Sequence, residues 1–284
     1  MVSVAEANQG GSSAGHFQGS SSYYLSPELE RITRMAMVLN KPLLLTGEPG
    51  TGKTQLAFEI ARSLQMPIEA LRCKSTIRGE ETCYVQDTVL RLNDARFGSG
   101  DTGRDVNSFH DYIIWGPIGR AFQHTERVVL LLDEIDKTES DVQDNLLDVL
   151  EDNQFTIREI NETVKARQAP VIIITSNAKR ELSDPFLRRC FCHHIAFPDS
   201  KEMEHIISLH FPDLDQELKA VALRLFYDLR QRGYEKPPAT SELLNWLAAI
   251  GVDAISKTEL ESGLPFPGIL IKRASDLEAY RNQA

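Results

Sequence analysis

The chain has 284 residues, enough for one sizeable α/β domain and a smaller one, with the 42% apolar and 25% charged residues of an ordinary globular protein. A net charge of −10 argues against a general affinity for nucleic acid. No apolar run approaches a membrane span and no basic-then-apolar leader opens the chain. Four cysteines in this length make no disulfide framework, so a reduced, cytoplasmic protein is expected.

In chain order, residues 1–22 are dominated by Gly, Ser, Ala, Asn and Gln. They carry too little apolar surface to offset chain entropy and are expected to be a disordered tail. Ser26-Pro27 reads as a helix start, with Ser at N-cap and Pro at N1. Leu25, Leu29, Ile32, Ala36 and Leu39 give that helix one apolar stripe. Next comes PLLLTGEPGTGKT, Pro42 to Thr54. Its leucines predict a short buried strand, and Gly47-Glu48-Pro49-Gly50-Thr51-Gly52-Lys53-Thr54 fits G-x-x-x-x-G-K-[ST] throughout. Such a loop turns its backbone N–H groups on phosphate oxygens. Lys53 can reach the β- and γ-phosphates, and the Thr54 hydroxyl can ligate Mg²⁺. Leu56, Ala57, Ile60, Ala61 and Leu64 then predict the helix whose N-terminus faces the anion. This is a P-loop.

Pro67 to Arg72 predicts a second strand, and the polar stretch within 73–110 a surface loop or insertion. A short helix follows at 116–122, then a buried strand from Val128 to Leu132 and an amphipathic helix marked by Val142, Leu146, Val149 and Leu150. A hairpin is expected over 154–167, a strand from Pro170 to Thr175, and a fifth strand from His193 to Phe197. From Asp199 only helical spacing remains, opening with a capping-box pattern of Asp199 and Glu202. The expected domains are therefore 23–198, α/β with a parallel five-stranded sheet, and 199–284, a small helical lid with a C-terminal extension. Ligands of such a sheet bind at the carboxyl ends of its strands.

Those strand ends carry the chemistry. Val128–Leu132 delivers Asp133, able to hold Mg²⁺ through water, and Glu134, placed to polarise the water that attacks a γ-phosphate. Asn177 follows PVIIIT in the same way. Its amide can donate to the γ-phosphate and accept from the water, or it can simply cap the next turn. Arg188 and Arg189, on a helix opened by Pro185, read either as a solvated face or as holding an arginine finger. Cys190-Phe191-Cys192-His193-His194 packs four potential zinc ligands into five residues. Neighbours on one strand cannot all face one ion, so structural cysteines are expected. Trp115 and Trp246 read as packing residues.

The order GEPGTGKT, LLDEIDK with LLDVLED, ITSN, and LSDPFLRRC with HHIAFPD resembles the AAA+ ATPases, and among them the MoxR-type branch. The likeness runs from Tyr23 to about Ile250, with LSPEL and TSELLNWL at its ends. It implies a P-loop core with a helical lid, ATP and Mg²⁺ as ligands, and ring-shaped oligomers, usually hexamers. It also implies chaperone-like remodelling or maturation of a protein client, often beside a partner with a von Willebrand factor A domain. Carried over by motif, Gly47 to Gln55 and Asp133 bind nucleotide, with Lys53 on the phosphates and Thr54 and Asp133 on the metal. Glu134 is then the catalytic base, Asn177 the first sensor, and Arg188 or Arg189 the finger acting on a neighbour. One departure stands out. Where many relatives open the third lid helix with an arginine, this chain has Pro237-Pro238-Ala239-Thr240-Ser241-Glu242, leaving a hydroxyl, Lys236 or no contact in its place. The rival readings are a non-hydrolysing nucleotide switch, against which Glu134 and Asn177 argue, and the motor subunit of a nucleic-acid-directed complex, against which the charge argues.

Overall fold

The structure, a computed structural model, describes Phe17 and residues 23–283. Phe17 is buried; the rest of the expected tail, 1–22, lies outside the described residues. The described chain divides into two compact units, one of residues 25–47 and 53–195, the other of residues 23–24, 48–52 and 196–283.

In the first unit, α1 (Pro27–Val38) starts as its sequence dictates, with the Ser26 hydroxyl accepting the Leu29 N–H at 3.3 Å and Pro27 in the first turn. β1 (Leu43–Thr46) leads by way of Gly47 towards α2 (Lys53–Ser63), and β2 (Ile68–Arg72) follows. β3 (Tyr84–Gln86) and β4 (Ile113–Trp115) form an antiparallel ribbon that brackets α3 (Thr88–Phe97). α4 (Pro117–Gln123) leads to β5 (Val129–Asp133) and α5 (Ser140–Asp152). The expected hairpin is present as β6 (Gln154–Ile157) and β7 (Glu162–Lys165), then come β8 (Val171–Ser176), α6 (Asp184–Arg189) and β9 (Phe191–His194).

Five strands form one parallel sheet in the order β2-β5-β8-β1-β9. β5 and β8 are buried along their whole length, and Leu43, Leu44 and Leu45 are fully buried. Apolar runs without alternation are what strands covered on both faces require. The central position of β5, β8 and β1 brings the ends of all three side by side. Arg127 ties this layer to α1, donating to Ala169 O at 3.0 Å, Met37 O at 2.9 Å and Asn40 Oδ1 at 2.7 Å.

One expectation needs correction. The fifth strand is Phe191–His194, not His193–Phe197. β1 offers only four residues to pair with, and the ladder closes with Phe191 N–H on Pro42 O and Ile195 N–H on Thr46 O, both 2.8 Å. Phe197 instead stacks on Phe226 in the second unit, centroids 6.2 Å apart. Within 73–110 the polar stretch 99–105 lies outside the strands and α-helices and is mostly exposed, as a surface loop would be, while the residues around it pack. Cys73, Cys83, Tyr84 and Phe109 are buried, and the buried Asp94 carboxylate accepts from Arg104 Nε at 2.8 Å and Tyr112 OH at 3.0 Å. The backbone at Cys83 runs so close to α4 that a β-carbon on Gly119 would lie 2.0 Å from the Cys83 carbonyl oxygen.

The second unit contains α7 (Ser200–His210), α8 (Gln216–Gln231), α9 (Thr240–Val252), α10 (Lys257–Ser262), α11 (Pro267–Leu270) and α12 (Ala274–Gln283). Asp199 and Glu202 form the expected capping box. Trp246 is fully buried among Met203, Ile207, Phe226 and Leu243, and its ring N–H donates to Pro265 O at 2.7 Å. Among the described residues no helix is long and apolar enough to cross a membrane.

Candidate nucleotide site

Parallel strands lend their carboxyl ends to ligands because side chains and loops fan apart there. At the end of β1, Gly47 has φ 146°, which a side chain would disfavour. α2 begins at Lys53, which is buried and donates through Nζ to Gly47 O at 2.9 Å. A buried ammonium needs oxygen partners, and this one closes the base of the loop. Thr54, next along α2, donates its hydroxyl hydrogen to Asp133 Oδ1 at 2.7 Å. Gln55 faces solvent and donates to Glu59 Oε1, one turn along, at 3.2 Å.

Asp133 ends β5 in a buried setting, and its Oδ1 also accepts from Thr175 Oγ1 at 2.9 Å. Thr175 is buried within the neighbouring strand β8, and the same hydroxyl accepts the Glu134 N–H at 2.8 Å. Glu134 is left-handed, φ 59° and ψ 51°, a conformation non-glycine residues adopt at a cost and mostly where function needs it. The turn sends its carboxylate towards Asn177, whose Nδ2 donates to Glu134 Oε1 at 3.0 Å. Lys137 Nζ donates to the other oxygen, Oε2. An unbroken chain of hydrogen bonds thus links Thr54, Asp133, Thr175, Glu134 and Asn177.

Burial, first, and then the charges of Asp133, Asp136 and Glu134, opposed by Lys137, push the Cys73 thiol up to about 12. A hydroxyl and a carboxylate oxygen in contact suit a hard divalent cation such as Mg²⁺. Three further residues, Thr175, Asp136 and Lys137, join the site without having stood out in the sequence. Asp136 is buried and accepts the N–H groups of Asn177 at 3.2 Å and Lys179 at 3.1 Å. The DEID run is its one visible signal.

The arginine pair is divided by its surroundings. Arg189 donates to Asp148 Oδ1 at 2.6 Å and pairs with Glu151 at 3.3 Å, both on α5. Arg188 is exposed, with no hydrogen bond or ion pair among the described residues. Cys190 is buried and Cys192 exposed.

Residues 48–52 belong to the second unit. Glu48 pairs with Arg230 of α8, Nη2 to Oε2 2.8 Å, while Arg230 also donates to Pro238 O at 2.6 Å and lies 3.4 Å over the Phe197 ring. Thr51 Oγ1 donates to Glu48 O at 2.9 Å, and Pro49 is exposed. Gly50 and Gly52 have φ of 80° and 88°. A β-carbon on Gly50 would meet Ala239 at 2.7 Å, and one on Gly52 would meet the Tyr23 ring at 3.1 Å. At the start of α9, Thr240 is buried, its hydroxyl without a partner among the described residues, Ser241 is exposed, and Lys236 pairs with Glu242 at 3.4 Å.

Comparison with known proteins agrees with this architecture. The chaperone protein ClpB of Corynebacterium diphtheriae is 30% identical over 220 residues, 69% of this chain and 24% of ClpB. The gas vesicle ATPase GvpN of Haloferax mediterranei is 25% identical over 220 residues, 72% of this chain and 61% of GvpN. The chain thus spans less than two thirds of either relative. Among solved structures, a Thermotoga maritima RuvB mutant superposes with a TM-score of 0.55 at 18% identity, covering 86% of this chain and 71% of that one, a likeness of fold. The fold is the P-loop NTPase fold of the AAA+ kind, which implies nucleotide binding. The AAA domain (dynein-related subfamily) matches residues 42–190, β1 through Cys190 and more than half of the chain, and it is to this family that the chain belongs.

Proposed function

We propose that the chain is a MoxR-type AAA+ ATPase that hydrolyses ATP with Mg²⁺ and uses the turnover to remodel or mature partner proteins. The observation that carries the reading is the hydrogen-bonded line from Thr54 through Asp133, Thr175 and Glu134 to Asn177. It supports the reading because phosphoryl transfer to water calls for metal-binding oxygens, a carboxylate base and an amide donor close together.

In this reading the N–H groups of residues 47–54 cradle the phosphates, and Lys53 draws on the β- and γ-phosphoryl oxygens. Thr54 and Asp133 would hold Mg²⁺, which when bound neutralises phosphate charge. Glu134 takes a proton from water as the water oxygen bonds to the γ-phosphorus. The bond from that phosphorus to the β–γ bridging oxygen breaks, leaving ADP and phosphate. Asn177 orients the water and the γ-phosphoryl group through its amide. Residues 23–198 serve as the nucleotide-binding domain and 199–284 as a helical lid. The subunits assemble into a ring, by analogy with the branch a hexamer, and a ring gives Arg188 a neighbour to act on. Exposed, and without an ion pair among the described residues, Arg188 is a better finger than Arg189, which α5 already holds. A protein client and a von Willebrand factor A-domain partner in the cytoplasm complete the proposal.

The test separates binding from chemistry. Lys53→Ala should abolish ATP binding, whereas Glu134→Gln should bind ATP and fail to turn it over. Wild-type turnover by Glu134→Gln would remove Glu134 from the role of base.

A further inference from the structure

Glu134 is held from two sides. Asn177 Nδ2 donates to Oε1 at 3.0 Å, and the Lys137 ammonium forms a close ion pair with Oε2. An exposed ion pair between neighbouring turns contributes little by itself. The surroundings of this one set it apart. The Glu134 side chain is 26% exposed and that of Lys137 42%, so what distinguishes the pair is how its turn is held. Lys137 ends the turn Ile135–Lys137, which is braced from behind by Thr138 Oγ1 on Ile135 O at 2.7 Å and Gln143 Nε2 on Thr138 O at 3.1 Å. Buried Asp136, inside the same turn, accepts the backbone N–H groups of Asn177 and Lys179. The two groups that grip the carboxylate therefore ride on turns bonded to each other.

A carboxylate that takes a proton from water must present a lone pair to it. An ammonium on Oε2 fills that place and opposes the charge that draws the proton. We propose that Lys137 restrains Glu134, its ammonium keeping Oε2 from the attacking water until the two turns joined by Asp136 shift together and withdraw it. The proposal rests on the reading of Glu134 as the base. Its trigger is Asn177. Once that amide turns to a γ-phosphoryl oxygen, Oε1 loses its donor, and the Asn177 loop moves Asp136 through their shared hydrogen bonds. The differential contact needed to shift the equilibrium is the one Asn177 makes with the phosphate. Lys137 is thus a positioning residue, and its effect is to tie hydrolysis to an occupied site.

The experiment compares the chain with Lys137→Met, Lys137→Arg and Glu134→Gln, reading single-turnover hydrolysis of MgATP and affinity for adenylyl imidodiphosphate. Lys137→Met should hydrolyse about three- to tenfold faster with analogue affinity nearly unchanged, and Lys137→Arg should stay near wild type. A Lys137→Met protein that binds the analogue normally and is no faster overturns the restraint while leaving the base in place, provided Glu134→Gln is inactive. If Glu134→Gln turns over normally, base and restraint fall together. A second readout needs no turnover and covers a Lys137→Met protein that does not fold. Acylation of the Lys137 amine, followed by mass spectrometry, should be slow in the wild-type chain and faster in Glu134→Gln or with the analogue bound. Equal acylation under all three conditions overturns the proposal.

Discussion

Thr175 joins the two acidic ends of the site, because one hydroxyl donates to Asp133 and accepts from the Glu134 N–H. Replacing it with valine keeps the shape and removes both bonds, leaving the part-buried Glu134 N–H without its partner. Thr175→Val should cost about 1–3 kcal/mol of stability, read as a lower melting temperature, and should slow single-turnover hydrolysis more than it weakens ATP binding. Thr175→Ser, which keeps the hydroxyl, should recover most of both. Lys53, Thr54, Asp133, Glu134 and Asn177 are legible in the sequence because each sits at a fixed offset from a glycine loop or an apolar strand. Thr175 is not. Within PVIIIT it looks like one more strand residue, and its importance depends on β5 lying beside β8, which no local pattern states.

At the scale of elements, the strands buried on both faces announce themselves by unbroken apolar runs, and the helices by their spacing and caps. Edge strands carry weaker signals. The sequence places β9 too late because Ile195 and Phe197 alternate like strand residues, whereas its true limits are set by the length of β1. The β3–α3–β4 segment is illegible for a related reason: its order comes from Asp94, Arg104 and Tyr112, which are polar and distant in sequence. The cysteines test these placements. Burial is the main cause that pushes the thiols of Cys73 and Cys190 up to about 12 and that of Cys83 up to about 11. The thiolate is the reactive form, so at pH 8 these three should resist iodoacetamide in the folded protein. Cys192, exposed on β9, should label first, and denaturant should release the other three. Rapid labelling of Cys73 in the native chain would contradict the close packing behind β5.

For the whole molecule, the deciding test is of Arg188 as the proposed finger. If it serves a neighbour, specific ATPase activity should rise with protein concentration, since only assembled subunits carry complete sites. Finger residues acting in trans are worth on the order of 10³–10⁵ in rate in well-studied systems. Mixing Arg188→Ala protein with Glu134→Gln protein, each inactive alone, should restore part of the activity. Co-assembly without recovery would return Arg188 to a solvated helix face. Gly119 bears on the same experiment from the opposite direction. With the Cys83 carbonyl oxygen 2.0 Å from where a β-carbon would stand, Gly119→Val has no room to fold and no complete subunit to offer. Two kinds of inactive allele follow. In the proposed assembly, Glu134→Gln yields a folded subunit that takes a place, lends its Arg188 to a neighbour and turns over no ATP itself, so it should lower the activity of mixed assemblies in proportion to its share. Gly119→Val should be cleared before it meets a partner, and one good copy of the gene should mask it.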